Sequence, residues 1–177
     1  MKRTADQKKK DAAAGSVKEF AGAKVLRGDL DGSKMKIGVV TARFNRDITS
    51  KLEEGAFRTL KKLGVKPANI RLVSVPGAVE ITTAAKALLK SGSDAVIALG
   101  CVIRGETTHY ESVVGAVDTG CTHLQLETGK PVVFGVITTE NLEQAIDRVG
   151  GHHGHKGEEA AEVAVEMVNL LKTIGRK

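Results

Sequence analysis

From residue 35 onward the chain alternates short apolar runs with longer segments in which apolar residues recur every three or four positions. The runs "MKIGVVTA" (35–42), "IRLVSV" (70–75), "DAVIALGCVI" (94–103) and "PVVFGVI" (131–137) predict four strands. Helices are expected over 46–64, 78–90, 109–127, 140–149 and 157–173. In the first of these Leu52, Ala56, Leu60 and Leu63 lie along one stripe, and Gly64 stops it. In the last, Ala160, Val163, Met167 and Leu170 recur at helical spacing, and that stripe, methionine included, reads as core and not as a ligand surface. Upstream, "KVLRGDLDGSK" allows one short edge strand before a turn at Asp31-Gly32. Apolar strands alternating with helices predict an α/β fold: a central four-stranded parallel sheet covered on both faces, with right-handed crossovers. No internal repeat is visible.

Composition adds a second region to this picture. The 177 residues suit one domain with a sizeable core. The first twenty, "MKRTADQKKKDAAAGSVKEF", are polar, small and lysine-rich, which predicts a flexible basic arm over 1–20 and a single domain over 21–177. The formal charge is +6, and the arm holds six Lys or Arg against three acids. About half the excess therefore sits on the arm, and the domain is nearly balanced. With no Trp and one Tyr the chain lacks a stacking platform for nucleic acid, so none is expected as a partner. Cys101 and Cys121 form no metal or disulfide pattern, which favours a reducing compartment. No apolar run approaches the roughly 18 residues that span a bilayer, and the lysine-rich start has no apolar stretch behind it. The expectation is a cytoplasmic protein with no membrane partner.

Ligands of open parallel sheets bind beyond the carboxyl ends of the strands, next to the point where strand order reverses. The turns on that edge are "TARFNRD", "SVPGAVE", "CVIRGETTHYE" and "ITTEN". In the third, Thr108 and Glu111 have capping-box spacing, which accounts for a helix start but not for Gly105 or His109. His109 would be the first helical residue, where the macrodipole disfavours a cation and leaves the ring able to accept a proton. The amides of residues 105–107 would face a position suited to an anion. Phe44 stands among polar residues just past the first strand. A hydrophobic staple would need an apolar partner at Thr49, so a stacking surface for a planar ligand is the competing reading. Glu80, after a Pro-Gly turn, is either a first-turn acid favoured by the dipole or an acceptor for a polyol.

Taken together, "ARFN", "SVPGAVEI", "GCVIRGETTHYE", "FGVITTENLEQAIDRVG" and "HKGEEAA" resemble the lumazine synthase family, collinearly from about residue 25 to the end of the chain. The resemblance implies a flavodoxin-like three-layer α/β/α sandwich and an enzyme of riboflavin biosynthesis that uses neither metal nor organic cofactor. It implies condensation of 5-amino-6-(D-ribitylamino)uracil with 3,4-dihydroxy-2-butanone 4-phosphate. It also implies pentamers, some of which build sixty-subunit shells, with active sites between neighbouring subunits and riboflavin synthase as a functional partner. Carried over by motif, Phe44 would stack on the pyrimidine, Ala78, Val79 and Glu80 would hold the ribityl chain, and Cys101, Val102 and Ile103 would line the ring. Gly105, Glu106 and Thr107 would hold the phosphate with Arg148 and Lys156. Phe134 would be a further wall and His109 the proton shuttle.

Phe134 lies early in its strand, and Arg148 near the end of the ten-residue helix expected over 140–149. Such a helix would carry Arg148 roughly 12 Å or more back from the carboxyl edge, beyond reach of the His109 turn of its own chain. If both belong to the site, a neighbouring subunit must supply them. Two departures stand out. Val79 occupies a position where many relatives carry an aromatic, and "GGHHGHKG" (150–157) is rich in histidine. A solvated or pH-sensitive loop is the main reading of the second, against a metal site drawing on Glu158 or Glu159. The short connection from Arg148 to Lys156 resembles shell-forming members. Rival functions are an archaeal-type riboflavin synthase, a non-catalytic flavin-binding or shell protein, and a basic-tailed nucleic-acid module.

Overall fold

The molecule is built around four parallel strands in the spatial order β4-β3-β5-β6, where β3 is Ile37–Ala42, β4 is Ile70–Val75, β5 is Ala95–Ile103 and β6 is Val132–Thr139. The computed structural model describes residues 19–20 and 22–175, so the arm expected over 1–20 lies, apart from Glu19 and Phe20, outside the described residues. Helices α1 (Arg46–Lys62), α2 (Ile81–Lys90), α3 (His109–Thr128) and α4 (Leu142–Asp147) follow the four strands in turn, and a fifth, α5 (Lys156–Ile174), follows α4 after a short hairpin. The described residues also form a 3-10 turn (Pro67–Asn69) and two small antiparallel hairpins: β1 (Glu19–Phe20) with β2 (Ala23–Lys24), and β7 (Val149–Gly151) with β8 (Gly154–His155).

Alternation along the strands divides the core in two. Ile37, Val39, Ile97 and Leu99 face α1 and α5, while Val40, Val96, Ala98 and Val136 face α2 and α3. This is the three-layer arrangement expected from buried apolar strands. Coverage fails at β4, an edge strand on which Leu72 is 48% exposed and only Ile70 joins the α1–α5 core.

The helix ends follow local chemistry. Gly64 takes φ 88° beyond α1, with its amide on Lys61 O and that of Val65 on Leu60 O, both 3.0 Å, which satisfies the last carbonyls. The helix expected over 140–149 is shorter: Asn141 caps α4 by accepting from Gln144 N at 2.9 Å, and the chain leaves the helix after Asp147 for the hairpin, where Gly150 has φ 123°. Strand β6 runs two residues longer than expected, because β-branched Thr138 and Thr139 pair with Val102 and Ile103.

Two expectations are corrected. The buried face of α5 is Ala160, Ala161, Ala164, Val165 and Val168, whereas Val163 is 43% exposed and Met167 half-buried. Two neighbouring stripes satisfied the helical period, and the one rich in alanine faces inward because α1 and α5 pack closely. At Gly157 a Cβ would collide with the Leu52 carbonyl. "KVLRGDLDGSK" adds no strand to the main sheet; Lys24 ends the small hairpin, and residues 25–32 run without regular structure. That stretch is held by Asn169 Nδ2, which donates to the carbonyls of Asp29 and Asp31 at 3.0 Å, and by Gly32 N on Leu63 O at 2.7 Å. Among the described residues no helix is long and apolar enough to cross a membrane.

Candidate active site

The strand order reverses between β3 and β5, since β3 leads outward to β4 and β5 leads outward to β6. At this switch point Asn45 takes a left-handed conformation (φ 56°, ψ 49°), a turn residue suited to it. Its Nδ2 donates to Cys101 O at 3.0 Å and so ties the turn after β3 to the end of β5. The preceding residue, Phe44, is 71% exposed, and Thr49 is fully buried, so no staple forms and the ring is open at the carboxyl edge. Beside it, Ala78 is buried, Val79 and Glu80 are exposed, and Glu80 Oε2 accepts from Gly77 N at 2.9 Å. That bond gives Glu80 a structural task in its own turn while leaving Oε1 for a ligand. Cys101 is buried, with Val102 and Ile103 half-buried toward the strand end.

The turn carrying His109 is held differently from the capping box expected there. Thr108 precedes α3 with φ −70° and ψ 4°, and its side chain makes no cap bond. Glu111 is drawn to Arg104, which also donates through Nε to Glu140 at 2.8 Å and stacks on Tyr110 at 4.1 Å. A charge-assisted bond to a guanidinium outweighs a neutral bond to a single amide. The Arg104 bond holds the Glu111 carboxyl below the usual glutamate range, and Glu111 pushes the guanidinium up. Arg104 N also bonds Thr139 O at 2.9 Å, which fastens the turn to the end of β6. The motifs gave Arg104 no role; a cation directly after a buried strand, with an acid seven residues on, was the available signal. Gly105, Glu106, Thr107 and His109 are exposed, and among the described residues the amides of 105–107 donate to no acceptor. His109 N approaches Thr107 Oγ1 at 3.4 Å, a weak contact.

The remaining residues assemble elsewhere. Phe134, Arg148 and Lys156 line a groove of about 570 Å³ along the outer edge of β6, between α3 and α5, with Gln125, Val163 and Met167 among its walls. The outward stripe of α5 therefore forms part of a ligand-sized surface, contrary to the core reading. Phe44, Ala78–Glu80, Cys101–Ile103 and the 105–109 turn do not line this groove. Arg148 closes a six-residue helix and not a ten-residue one, yet it still belongs with Phe134 and not with the His109 turn. Its Nη1 donates to Asp147 at 2.7 Å, and Lys156 Nζ donates to Glu159 at 2.7 Å.

The histidine-rich loop has structural roles that the sequence did not reveal. His153 Nδ1 meets the Asp147 carboxylate, and this bond lowers the Asp147 carboxyl below its ordinary value. His155 Nδ1 accepts from Glu158 N at 3.4 Å at the start of α5, and its ring lies against Gly55, where a Cβ would collide with it. A second, polar cleft of about 500 Å³ lies between α1 and this loop, crossed by the Arg58–Glu158 ion pair, and holds none of the residues expected to bind substrate.

Residues 34–172 match the model of a protein family described as 6,7-dimethyl-8-ribityllumazine synthase. The chain is 55% identical over 141 residues to the 6,7-dimethyl-8-ribityllumazine synthase of Bdellovibrio bacteriovorus, an overlap of 80% of this chain and 78% of that protein. It is 50% identical over 141 residues to the protein of the same name from Parabacteroides distasonis, covering 79% of this chain and 88% of the relative. By both measures the chain belongs to the 6,7-dimethyl-8-ribityllumazine synthase family.

Proposed function

We propose that this enzyme of riboflavin biosynthesis condenses 5-amino-6-(D-ribitylamino)uracil with 3,4-dihydroxy-2-butanone 4-phosphate at a site made from both sets of residues, each set from a different subunit. One observation carries the two-subunit reading: Phe134, Arg148 and Lys156 share a groove that Phe44, Ala78–Glu80, Cys101–Ile103 and the 105–109 turn do not line. In this arrangement Phe44 stacks on the pyrimidine, Ala78, Val79 and Glu80 take the ribityl chain, and Cys101, Val102 and Ile103 border the ring. The amides of Gly105, Glu106 and Thr107 meet the phosphate from one side; Arg148 and Lys156 of the neighbour meet it from the other, under the Phe134 wall.

The 5-amino nitrogen adds to the ketone carbon, and loss of water gives an imine. Removal of a proton from the adjacent carbon then expels phosphate and leaves an enol. The enol tautomerises to a ketone, the ribitylamino nitrogen closes the ring on that carbonyl, and a second water leaves. His109 moves protons in these steps, a contribution of about 10²–10⁴ in rate. Fixing two stacked and clamped reactants supplies much of the remainder. An arginine fork suits a leaving phosphate because its charge and geometry match two oxygens at once. Acid–base chemistry and positioning suffice, so no cofactor is called for.

Assembly as pentamers, and from them a sixty-subunit shell, belongs to the same reading. Exposed apolar side chains on the outer strands and on α5, Leu72, Phe134 and Val163 among them, support it. The same reading takes 21–177 as a single domain and 1–20 as a basic arm. A cytoplasmic location and riboflavin synthase as the consumer of the product complete the proposal.

Complementation tests the two-subunit site. His109→Ala and Arg148→Ala, each nearly inactive alone, are co-assembled at equal amounts. If the site spans two subunits, random mixing restores activity to about a quarter of the sites, because each pairs one intact half with another. No recovery in mixed assemblies of verified composition sinks the two-subunit reading.

A further inference from the structure

Asp147 sits at the centre of a set of contacts that the reaction scheme leaves unused. Its carboxylate accepts from Arg148 Nη1 at 2.7 Å and from His152 N at 2.7 Å, and it meets His153 Nδ1. The backbone of Gly151 closes over the same carboxylate so tightly that a Cβ there would collide with Asp147 Oδ1. The loop 151–153 thus wraps one acid, and that acid holds the arginine of the groove.

From this geometry we infer that Asp147 is a positioning residue for Arg148, and that the histidine-rich loop serves the phosphate site by fixing Asp147. The inference rests on the reading of Arg148 as the phosphate clamp. Arginine has five N–H donors in a planar fork. Asp147 takes one on Nη1, and among the described residues Nε and Nη2 have no partner, which leaves a two-donor edge for two phosphate oxygens. An arginine side chain loses substantial rotamer entropy when ordered, and a prior bond to Asp147 removes much of that loss from the binding step. The His153 contact lies on the same carboxylate and favours its ionised form, the form that accepts from Arg148. The glycine at 151 has a reason of its own here, since only a residue without a Cβ lets the loop come that close.

The test uses the full-length assembled enzyme and measures KM for each substrate, together with inhibition by inorganic phosphate. Asp147→Ala is expected to raise KM for the butanone phosphate and Ki for inorganic phosphate roughly tenfold, with KM for the pyrimidine held within about twofold. Asp147→Asn keeps one acceptor oxygen for Arg148 but turns its NH2 toward His152 N, so it is expected to recover only part of the loss. Gly151→Ala, which displaces the carboxylate without altering it, is expected to follow Asp147→Ala. In an Arg148→Ala background, Asp147→Ala should add nothing further. Equal shifts in both KM values, an Asn variant no better than Ala, or a full additional loss on top of Arg148→Ala would each overturn the positioning role. If Arg148→Ala weakens phosphate and Asp147→Ala does not, the positioning role alone falls. If Arg148→Ala leaves the phosphate terms unchanged, the clamp reading falls and this inference goes with it.

Discussion

Arg104 and Glu111 are joined across the turn that carries His109, and the same guanidinium reaches Glu140 at the end of β6 and lies over Tyr110. The exposed loop between Ile103 and α3 is therefore pinned at both ends by one side chain. Replacing Arg104 by methionine keeps much of the apolar stem and removes all three polar links. Because these groups are exposed, stability should change little, whereas displacement of His109 should lower kcat about tenfold or more. Circular-dichroism melts alongside steady-state kinetics check this. A large fall in melting temperature with unchanged kcat would mean that Arg104 serves the fold and not the site.

The same pair gives a pH signature. The Glu111 carboxyl is held below its ordinary value of 4.5 by the Arg104 bond. A depressed acid contributes stability that is present above 4.5 and is lost as pH falls through the folded value. In Glu111→Gln the melting temperature should consequently fall less steeply below pH 4.5 than in the parent. Parallel curves for the two proteins would show that the bond is not made in solution.

Much of the fold was legible because it depends on periodicity. Four apolar runs and the helices between them gave the layers, and α3 begins at His109 as the pattern indicated. What escaped was decided by tertiary competition. Thr108 and Glu111 have the spacing of a capping box, but a guanidinium from the preceding turn captured the glutamate. On α5 two stripes fitted the helical period, and only the close approach to α1 selected the alanine one. Position along the chain separated Phe134 and Arg148 from the His109 turn, yet the groove they share with Lys156 depends on how α5 crosses β6. Asp147 gave no signal at all, since its role lies in which neighbours fold onto it.

Gly157 offers a case where two effects oppose each other. Alanine is favoured over glycine by about 1 kcal/mol in a helix interior, which is an upper bound for Gly157 in the first turn of α5. At this position the Cβ would collide with the Leu52 carbonyl, a backbone atom that cannot rotate away. Forcing α1 and α5 apart typically costs about 1–3 kcal/mol, so sterics should win and Gly157→Ala should be destabilised. The melting temperature is expected to drop by about 2–4 °C per kcal/mol of net loss. A rise in melting temperature would mean that the helices yield more readily than their packing suggests.

Cys101 and Cys121 should be inert in the folded enzyme. Burial pushes both thiols up to about 11, with the Asp118 charge adding to the effect at Cys121. At pH 8 only about one thiol in a thousand is then a thiolate, and burial blocks access to it. A chromogenic disulfide reagent is expected to leave both untouched until denaturant is added, then to titrate two. The raised values also mean that stability falls as pH climbs from the ordinary thiol value of 9 toward 11, because the unfolded chain loses these protons first. Rapid native labelling of either cysteine would contradict the burial argument.

Phe44 allows the sharpest separation of fold from function. It is 71% exposed, so its ring contributes little to the core, and Phe44→Ala should change stability by no more than about 0.5 kcal/mol. A stacking contact is worth about 0.5–1.5 kcal/mol, which corresponds to a rise of about 2- to 12-fold in KM for the pyrimidine. KM for the phosphate substrate should stay put, since no phosphate group is assigned to this turn. Phe44→Tyr should be near the parent, Phe44→Leu intermediate and Phe44→Ala weakest, because leucine keeps apolar area but lacks a π-face. Equal KM values for Phe and Leu would reduce the role to apolar contact. A loss of melting temperature as large as that of a core residue would return Phe44 to the fold, and Asn45, with its bond to Cys101 O, would then be the residue that orients the turn.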